Sequence, residues 1–196
     1  MLRRRLLLLL VGVPAGCASP NPTLYVLAPQ PGTPLTGAPR SVELREIGLA
    51  RYLDRSQIVR SSEGYRLDVL SNEWWGEPLS AMLSRVLVQE LTLRLPGSTV
   101  FAESGAITLT AVETVAVNIQ RMDADATGAV LLIAQIAVSG KANAMRDVRL
   151  VVPPAAPGTG GLVEAISRAV GQLADAIAGL LVGHQPGAPT GSGSPG

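Results

Sequence analysis

The sequence predicts an α/β fold: a single domain in which a mixed, largely antiparallel β-sheet has two main amphipathic helices packed on it. Three observations predict it. Two stretches, one opening at Pro78 and one at Leu162, repeat apolar residues every three and four positions, which places them on one helical face. Residues 107–139 alternate apolar and polar in two runs separated by a polar turn, the pattern of a long antiparallel hairpin. Strand-like segments come in runs instead of alternating strictly with helices, which argues for a mixed sheet over a parallel one. With aromatics at 3% and Leu, Val, Ile and Ala plentiful, the core is expected to be aliphatic. A mature length of about 180 residues suits one such core.

From the N-terminus, the first element is a targeting signal. Arg3, Arg4 and Arg5 precede the apolar run Leu6 to Val11, and Pro14, Ala15 and Gly16 precede Cys17. Positive, then apolar, then small is the order of a secretory signal peptide, here residues 1–16. Its apolar stretch of about eight residues falls short of the ~20 that a spanning helix needs. Cys17 is the single cysteine and follows small residues directly, as the lipid acceptor of a bacterial lipoprotein does, although Pro14 stands where an aliphatic residue is usual. We read Cys17 as the lipidation site, with no cofactor expected beyond that covalent N-terminal lipid. No cysteine is left for a disulfide or a CxxC pair.

Cleavage after residue 16 removes three of the sixteen basic residues, leaving thirteen against fifteen acidic ones, a net charge near −2. The basic residues are scattered singly, and a nucleic-acid partner would need them clustered. Residues 17–40, rich in proline, are read as a semi-rigid tether with one early strand around Leu24, Tyr25, Val26 and Leu27. The folded domain is expected over 41–183 and a disordered Pro, Gly, Ser and Thr tail over 184–196.

Within the domain, alternation predicts strands over 41–47, 57–60 and 65–70, with Gly64 in the turn between the last two. The first helix is expected from Pro78 to Leu95, with Leu79, Met82, Leu83, Val86, Leu87 and Leu91 on its apolar face and Pro96-Gly97 ending it. In the long hairpin, Ile107, Leu109, Ala111, Val115, Val117 and Ile119 share one side, which Glu113 interrupts. Val130, Leu132, Ala134, Ile136 and Val138 continue it, and Met145 to Val152 extends it. A Pro and Gly loop over 153–161 leads to the second helix, with Leu162, Ile166, Ala169, Val170, Leu173, Ile177, Leu180 and Leu181 in phase.

Catalytic and metal patterns are weak. His184, the only histidine, lies at the edge of the tail, where it lacks the fixed geometry that acid–base chemistry requires. Asp123, Asp125, Thr127 and Gly128 resemble the opening of a calcium loop, but its twelfth position falls at Ala134, so a polar hairpin turn explains them better. Gly158-Thr159-Gly160-Gly161 lacks the lysine of a phosphate-binding loop and is read as a flexible connection. Both tryptophans, Trp74 and Trp75, stand side by side before the first helix. Neighbours on an extended segment face opposite ways, so one is expected in the core and one outside, either stapling the helix start or meeting a protein or lipid.

Tyr52-Leu53-Asp54-Arg55-Ser56-Gln57-Ile58-Val59, followed by Trp74-Trp75-Gly76-Glu77-Pro78-Leu79 at the opening of a helix, resembles the PqiC-like family of ABC-transport auxiliary lipoproteins. The usual family forms are close to YLDRPQIV and RWAEPL, so Ser56, Trp74 and Gly76 depart from them. The resemblance implies a non-catalytic, outer-membrane-anchored periplasmic lipoprotein serving an MCE-type ABC lipid transport system. It would dock the periplasmic tunnel of an MCE-domain protein as a homo-oligomeric ring, with phospholipid as cargo, and help maintain membrane integrity. Ala18, next to Cys17, suits the outer membrane. Tyr52, Leu53, Asp54, Arg55, Gln57, Trp74, Trp75, Glu77 and Pro78 become the partner or motif residues. Two rivals are a lipoprotein that helps assemble another outer-membrane machine and a periplasmic hydrolase using the carboxylates of Asp54 and Glu77.

Overall fold

The computed structural model describes residues 21–106, 109–141 and 143–183. The signal segment, Cys17, Ile107 and the tail with His184 lie outside the described residues. The strands are β1 (Thr23–Tyr25), β2 (Ser41–Leu44), β3 (Gly48–Leu49), β4 (Gln57–Ser61), β5 (Asp68–Trp75), β6 (Thr99–Ala102), β7 (Glu113–Ala124), β8 (Val130–Ser139) and β9 (Ala144–Val152). Two helices, α1 (Leu79–Arg94) and α2 (Gly158–Leu181), complete the fold.

All the strands join one mixed, largely antiparallel sheet organised around β7. β7 pairs antiparallel with β8 from Thr114↔Ser139 to Ala124↔Val130, and β8 pairs antiparallel with β9. Its other edge receives β2, β3 and β4 in parallel at successive positions. β5 pairs antiparallel with β4, β1 lies parallel to β5, and β6 lies parallel to β2. Both helices pack on one face. The seam is aliphatic, as expected: Met82, Leu83, Val86 and Leu87 of α1 and Ile166, Ala169, Val170, Leu173 and Ile177 of α2 are fully buried.

Several boundaries differ from the sequence expectation. The hairpin begins at Glu113, because Leu109 and Val112 are exposed and Glu113 is buried against Arg40, which donates to its two oxygens at 2.8 and 3.0 Å. A hydrogen-bonded ion pair thus replaces the apolar side chain that alternation called for. A bulge between Ile119 and Arg121 reverses the parity of β7, so that odd residues face the core before it and Met122 and Ala124 after it. β5 starts at Asp68, later than expected, and runs to Trp75; Tyr65, at φ 64°, belongs to the turn before it. Residues 158–161 are helical instead of a flexible connection: α2 starts at Gly158, and a Cβ on Gly161 would lie 1.8 Å from the Ala156 carbonyl oxygen. Asp125 holds the polar hairpin turn that the sequence reading preferred over a calcium loop, with its Oδ1 accepting from the N–H groups of Thr127 and Ala129 and from the Thr127 hydroxyl.

The tether expectation for 17–40 is corrected over its described part, residues 21–40, which forms a strap across the helix pair. Leu27 is 2% exposed, and its N–H points at Met82 Sδ. Ala28 N–H donates to Ser167 Oγ (3.2 Å), Gln30 N–H to Glu90 Oε1 (2.8 Å) and Leu35 N–H to the Arg94 carbonyl (2.8 Å). The prolines keep the strap extended, so its carbonyls turn to side-chain donors instead of to a strand ladder. Arg94, 1% exposed, is the main donor.

Glu90, fully buried beneath this strap, has Oε2 without a hydrogen-bond partner. Burial pushes its carboxyl up to about 7, against the opposing pull of the Gln30 N–H and Arg94. A folded-state value above the ordinary one means that the native state holds a proton the unfolded chain has released. The contribution is therefore fully present below about pH 4.5 and is lost as pH rises through about 7. We expect stability to fall by about 2 kcal/mol across that window from this group, allowing for partial solvent screening. Glu90→Gln, which keeps an accepting oxygen, is expected to flatten the slope in urea titrations at pH 5 and pH 8; an unchanged slope would assign it to other groups.

Candidate functional site

The two motif segments, about fifteen residues apart in sequence, form one surface. After β3, the Ala50 N–H donates to Ile119 O on β7, and the chain turns tightly: Leu53 N–H to Ala50 O (2.8 Å), Arg55 N–H to Leu53 O (2.9 Å). Leu53, 3% exposed, plugs the core beneath this turn, which pushes Asp54, Arg55 and Ser56 out into solvent. β4 then starts at Gln57 directly opposite Trp74, and the Trp75 N–H donates to Ser56 O at 2.7 Å. The segment 52–59 and the segment 74–79 are therefore stitched together by backbone pairing.

Trp75 is 7% exposed and belongs to the core, whereas Trp74 is half-buried on the opposite face, its indole N–H donating to Ser71 O at 3.1 Å. The pair is split as strand geometry requires. It does not staple the helix, because both residues end β5 and the position before the Pro78 cap is Glu77. Glu77 forms an ion pair with Arg85, nearly two turns into α1.

Two clefts flank the turn. One, of about 390 Å³, is lined by Asp54, Arg55, Ser56, Trp75, Gly76, Glu77, Pro78 and Leu79, so both segments wall it. The other, of about 350 Å³, lies between Glu46, Ile47, Gly48, Leu49, Arg51 and Ser80, and shares Asp54. Asp54 and Glu77, the carboxylates of the hydrolase rival, line the same cleft, but Glu77 is engaged with Arg85. No group of three or more potential metal ligands occurs among the described residues.

An anchor that sequence reading missed holds the turn from below. Tyr52 Oη donates to Asp123 Oδ2 at 2.7 Å, and Ser62 Oγ approaches the same oxygen at 2.8 Å. Arg121 Nε donates to Asp123 Oδ1 at 3.0 Å, and its other arm pairs with Glu63. Asp123 is fully buried, and burial, followed by the hydrogen bond and charge of Asp123, pushes the Tyr52 phenol up to about 12. The bulge in β7 creates this arrangement, since it turns Asp123 away from the core that Met122 and Ala124 fill. An acidic residue between two apolar ones in a strand was the one available signal.

Comparison with known proteins agrees with this architecture. A family model described as the ABC-type transport auxiliary lipoprotein component matches residues 25–178, a span that opens within β1 and closes near the end of α2. A crystal structure of an uncharacterized protein superimposes with a TM-score of 0.71 at 19% identity, covering 83% of this chain and 99% of that one. The crystal structure of a Xanthomonas campestris protein of the DUF330 family superimposes with a TM-score of 0.69 at 16% identity, covering 83% and 95%. At these identities the likeness establishes the fold alone. No curated protein matches the chain.

Proposed function

The chain belongs to the ABC-type transport auxiliary lipoprotein component family, and from that premise we propose that it is a non-catalytic docking subunit of an MCE-type lipid transport system. In this reading an acylated Cys17 holds it to the inner leaflet of the outer membrane, and the periplasmic domain, as a homo-oligomeric ring, receives the tunnel of an MCE-domain protein that carries phospholipid. Membrane integrity depends on that traffic. The observation that carries the reading is the joining of the two motif segments into one exposed, rigidly backed surface around Asp54, Arg55 and Glu77. An exposed rim on a fixed scaffold suits contact with a neighbouring protein, whereas a catalytic carboxylate pair would be expected in a more secluded place. No helix among the described residues is long and apolar enough to cross a membrane.

The test is purification of the processed chain from membranes in mild detergent, followed by intact-mass spectrometry. An acyl mass on Cys17 together with a co-purifying MCE-domain protein is the expected result; an unacylated mature N-terminus, or an outer-membrane assembly machine as the companion, would reject it. Cys17→Ala is expected to leave a folded protein that no longer sediments with membranes. Membrane association that survives this substitution would remove the lipid from the scheme.

A further inference from the structure

We propose that the sheet edge bearing Leu24, Val26 and Trp74 rests on the lipid surface, so that the domain lies against the bilayer instead of standing off it. The inference builds on the reading of Cys17 as the anchor and says where that anchor places the domain.

Leu24 is 61% exposed and Val26 59%, large values for aliphatic side chains beside a sheet. Leu24 is in register with Trp74 across the parallel β1–β5 pair, so the two share a face. Val26, two residues on, lies over Gly76, where a Cβ would come within 3.1 Å of its Cγ1; Gly76 N–H is also bonded to Tyr25 O at 2.8 Å. Tyr25 and Trp75 point the other way, into the core. The result is a small apolar patch along the β1 edge of the sheet, made of two bare aliphatic side chains, Leu24 on β1 and Val26 just past it, beside the half-buried indole of Trp74 on β5. Tryptophan favours such a boundary, because its ring is apolar and its N–H is not.

Chain length decides what covers it. Seven residues separate Cys17 from Leu24, and fully extended they reach at most about 25 Å. A domain of this size is roughly 40 Å across. A lipid on Cys17 therefore keeps β1 on the side of the domain nearest the bilayer, while β9, beyond β7 and β8, lies at the far side of the sheet. The strap reinforces this, because residues 27–35 are pinned to the helices and contribute no slack. The mature net charge near −2 gives no attraction to anionic lipid, so the contact argued here is apolar.

The experiment uses the acylated mature chain carrying Leu24→Cys, labelled with a polarity-sensitive thiol dye, and Asp147→Cys on β9 as the control. Cys17 is blocked by its lipid, so the dye enters only at the new position. The labelled proteins are reconstituted on neutral phosphatidylcholine vesicles with and without nitroxide-bearing acyl chains. We expect both to float with vesicles, the Leu24 dye to shift to the blue and lose most of its emission to the nitroxide, and the Asp147 dye to do neither. A floating protein whose Leu24 dye stays as wet as the control overturns the proposal while leaving the anchor intact. A Leu24 dye that is shielded yet not quenched by nitroxide overturns it in favour of a protein cover, a second copy included. Failure of the acylated protein to float overturns both the proposal and the anchor reading beneath it.

Discussion

Arg94→Leu is expected to destabilise the domain by about 3–5 kcal/mol, a large part of the ~5–15 kcal/mol that a domain of this kind possesses. The guanidinium is 1% exposed and has an acceptor for each of its five N–H groups. Nε donates to Asp175 (2.6 Å), one terminal nitrogen faces the carbonyls of Glu90 (3.1 Å) and Gln30 (3.4 Å), and the other faces those of Gly171 (3.0 Å) and Pro31 (3.4 Å). One side chain thus joins α1, α2 and the strap. Leucine fills some of the volume and leaves the strap carbonyls of Gln30 and Pro31 without their donor, each a desolvation penalty. Charge pairing is the smaller part, because Asp175 is 54% exposed and water can replace it. Asp175→Asn should therefore cost at most about 1 kcal/mol. Urea denaturation of both variants in the Cys17→Ala background checks this; equal losses would show that the ion pair, and not the carbonyl cradle, holds the strap. Proteolysis within residues 28–35 should appear in Arg94→Leu alone.

The parts of the fold that were legible in the sequence are those where burial follows one period. α1, α2, β8 and the part of β7 before its bulge expose their phase because aliphatic residues recur in register over many positions, and the hairpin turn is announced by Asp125 and Gly128. β3 and β6, two and four residues long, are too short to show a period at all. The strap was hidden for another reason. Its prolines suppress any apolar rhythm, only Leu27 is deeply buried, and its partners Glu90, Arg94 and Ser167 lie about sixty residues away or more. On α1 itself, Glu90 and Arg94 look like an ordinary surface pair spaced by one turn. The motif residues are named from resemblance, and the Gln57↔Trp74 pairing with the Trp75 N–H bond to Ser56 O brings them together. A bulge leaves no mark on composition, so the alternation that ends at Ile119 gives no sign that the chain changes sides beyond it.

Asp123, which that change of sides buries, is expected to be the second costly position. Asp123→Ala strips the partner from Tyr52 Oη, Ser62 Oγ and Arg121 Nε together, and leaves a partly buried guanidinium with Glu63 as its remaining carboxylate. Removing one member of a buried charged pair costs about 3–5 kcal/mol, and we expect this variant in that range. Tyr52→Phe, which deletes one bond to the charged oxygen, should cost about 1.5–3 kcal/mol. If the phenol acts through Asp123, the double variant will be no worse than Asp123→Ala by more than ~0.5 kcal/mol, because residues in one network do not add. Additive losses would mean that Tyr52 stabilises the domain by packing alone. The distinction bears on docking, since the same tyrosine opens the turn that presents Asp54 and Arg55. A turn held only by packing of Tyr52 and Leu53 would keep its shape in Asp123→Ala. A turn held by the buried carboxylate would loosen, and capture of the companion protein would fall with stability even at temperatures where the domain stays folded.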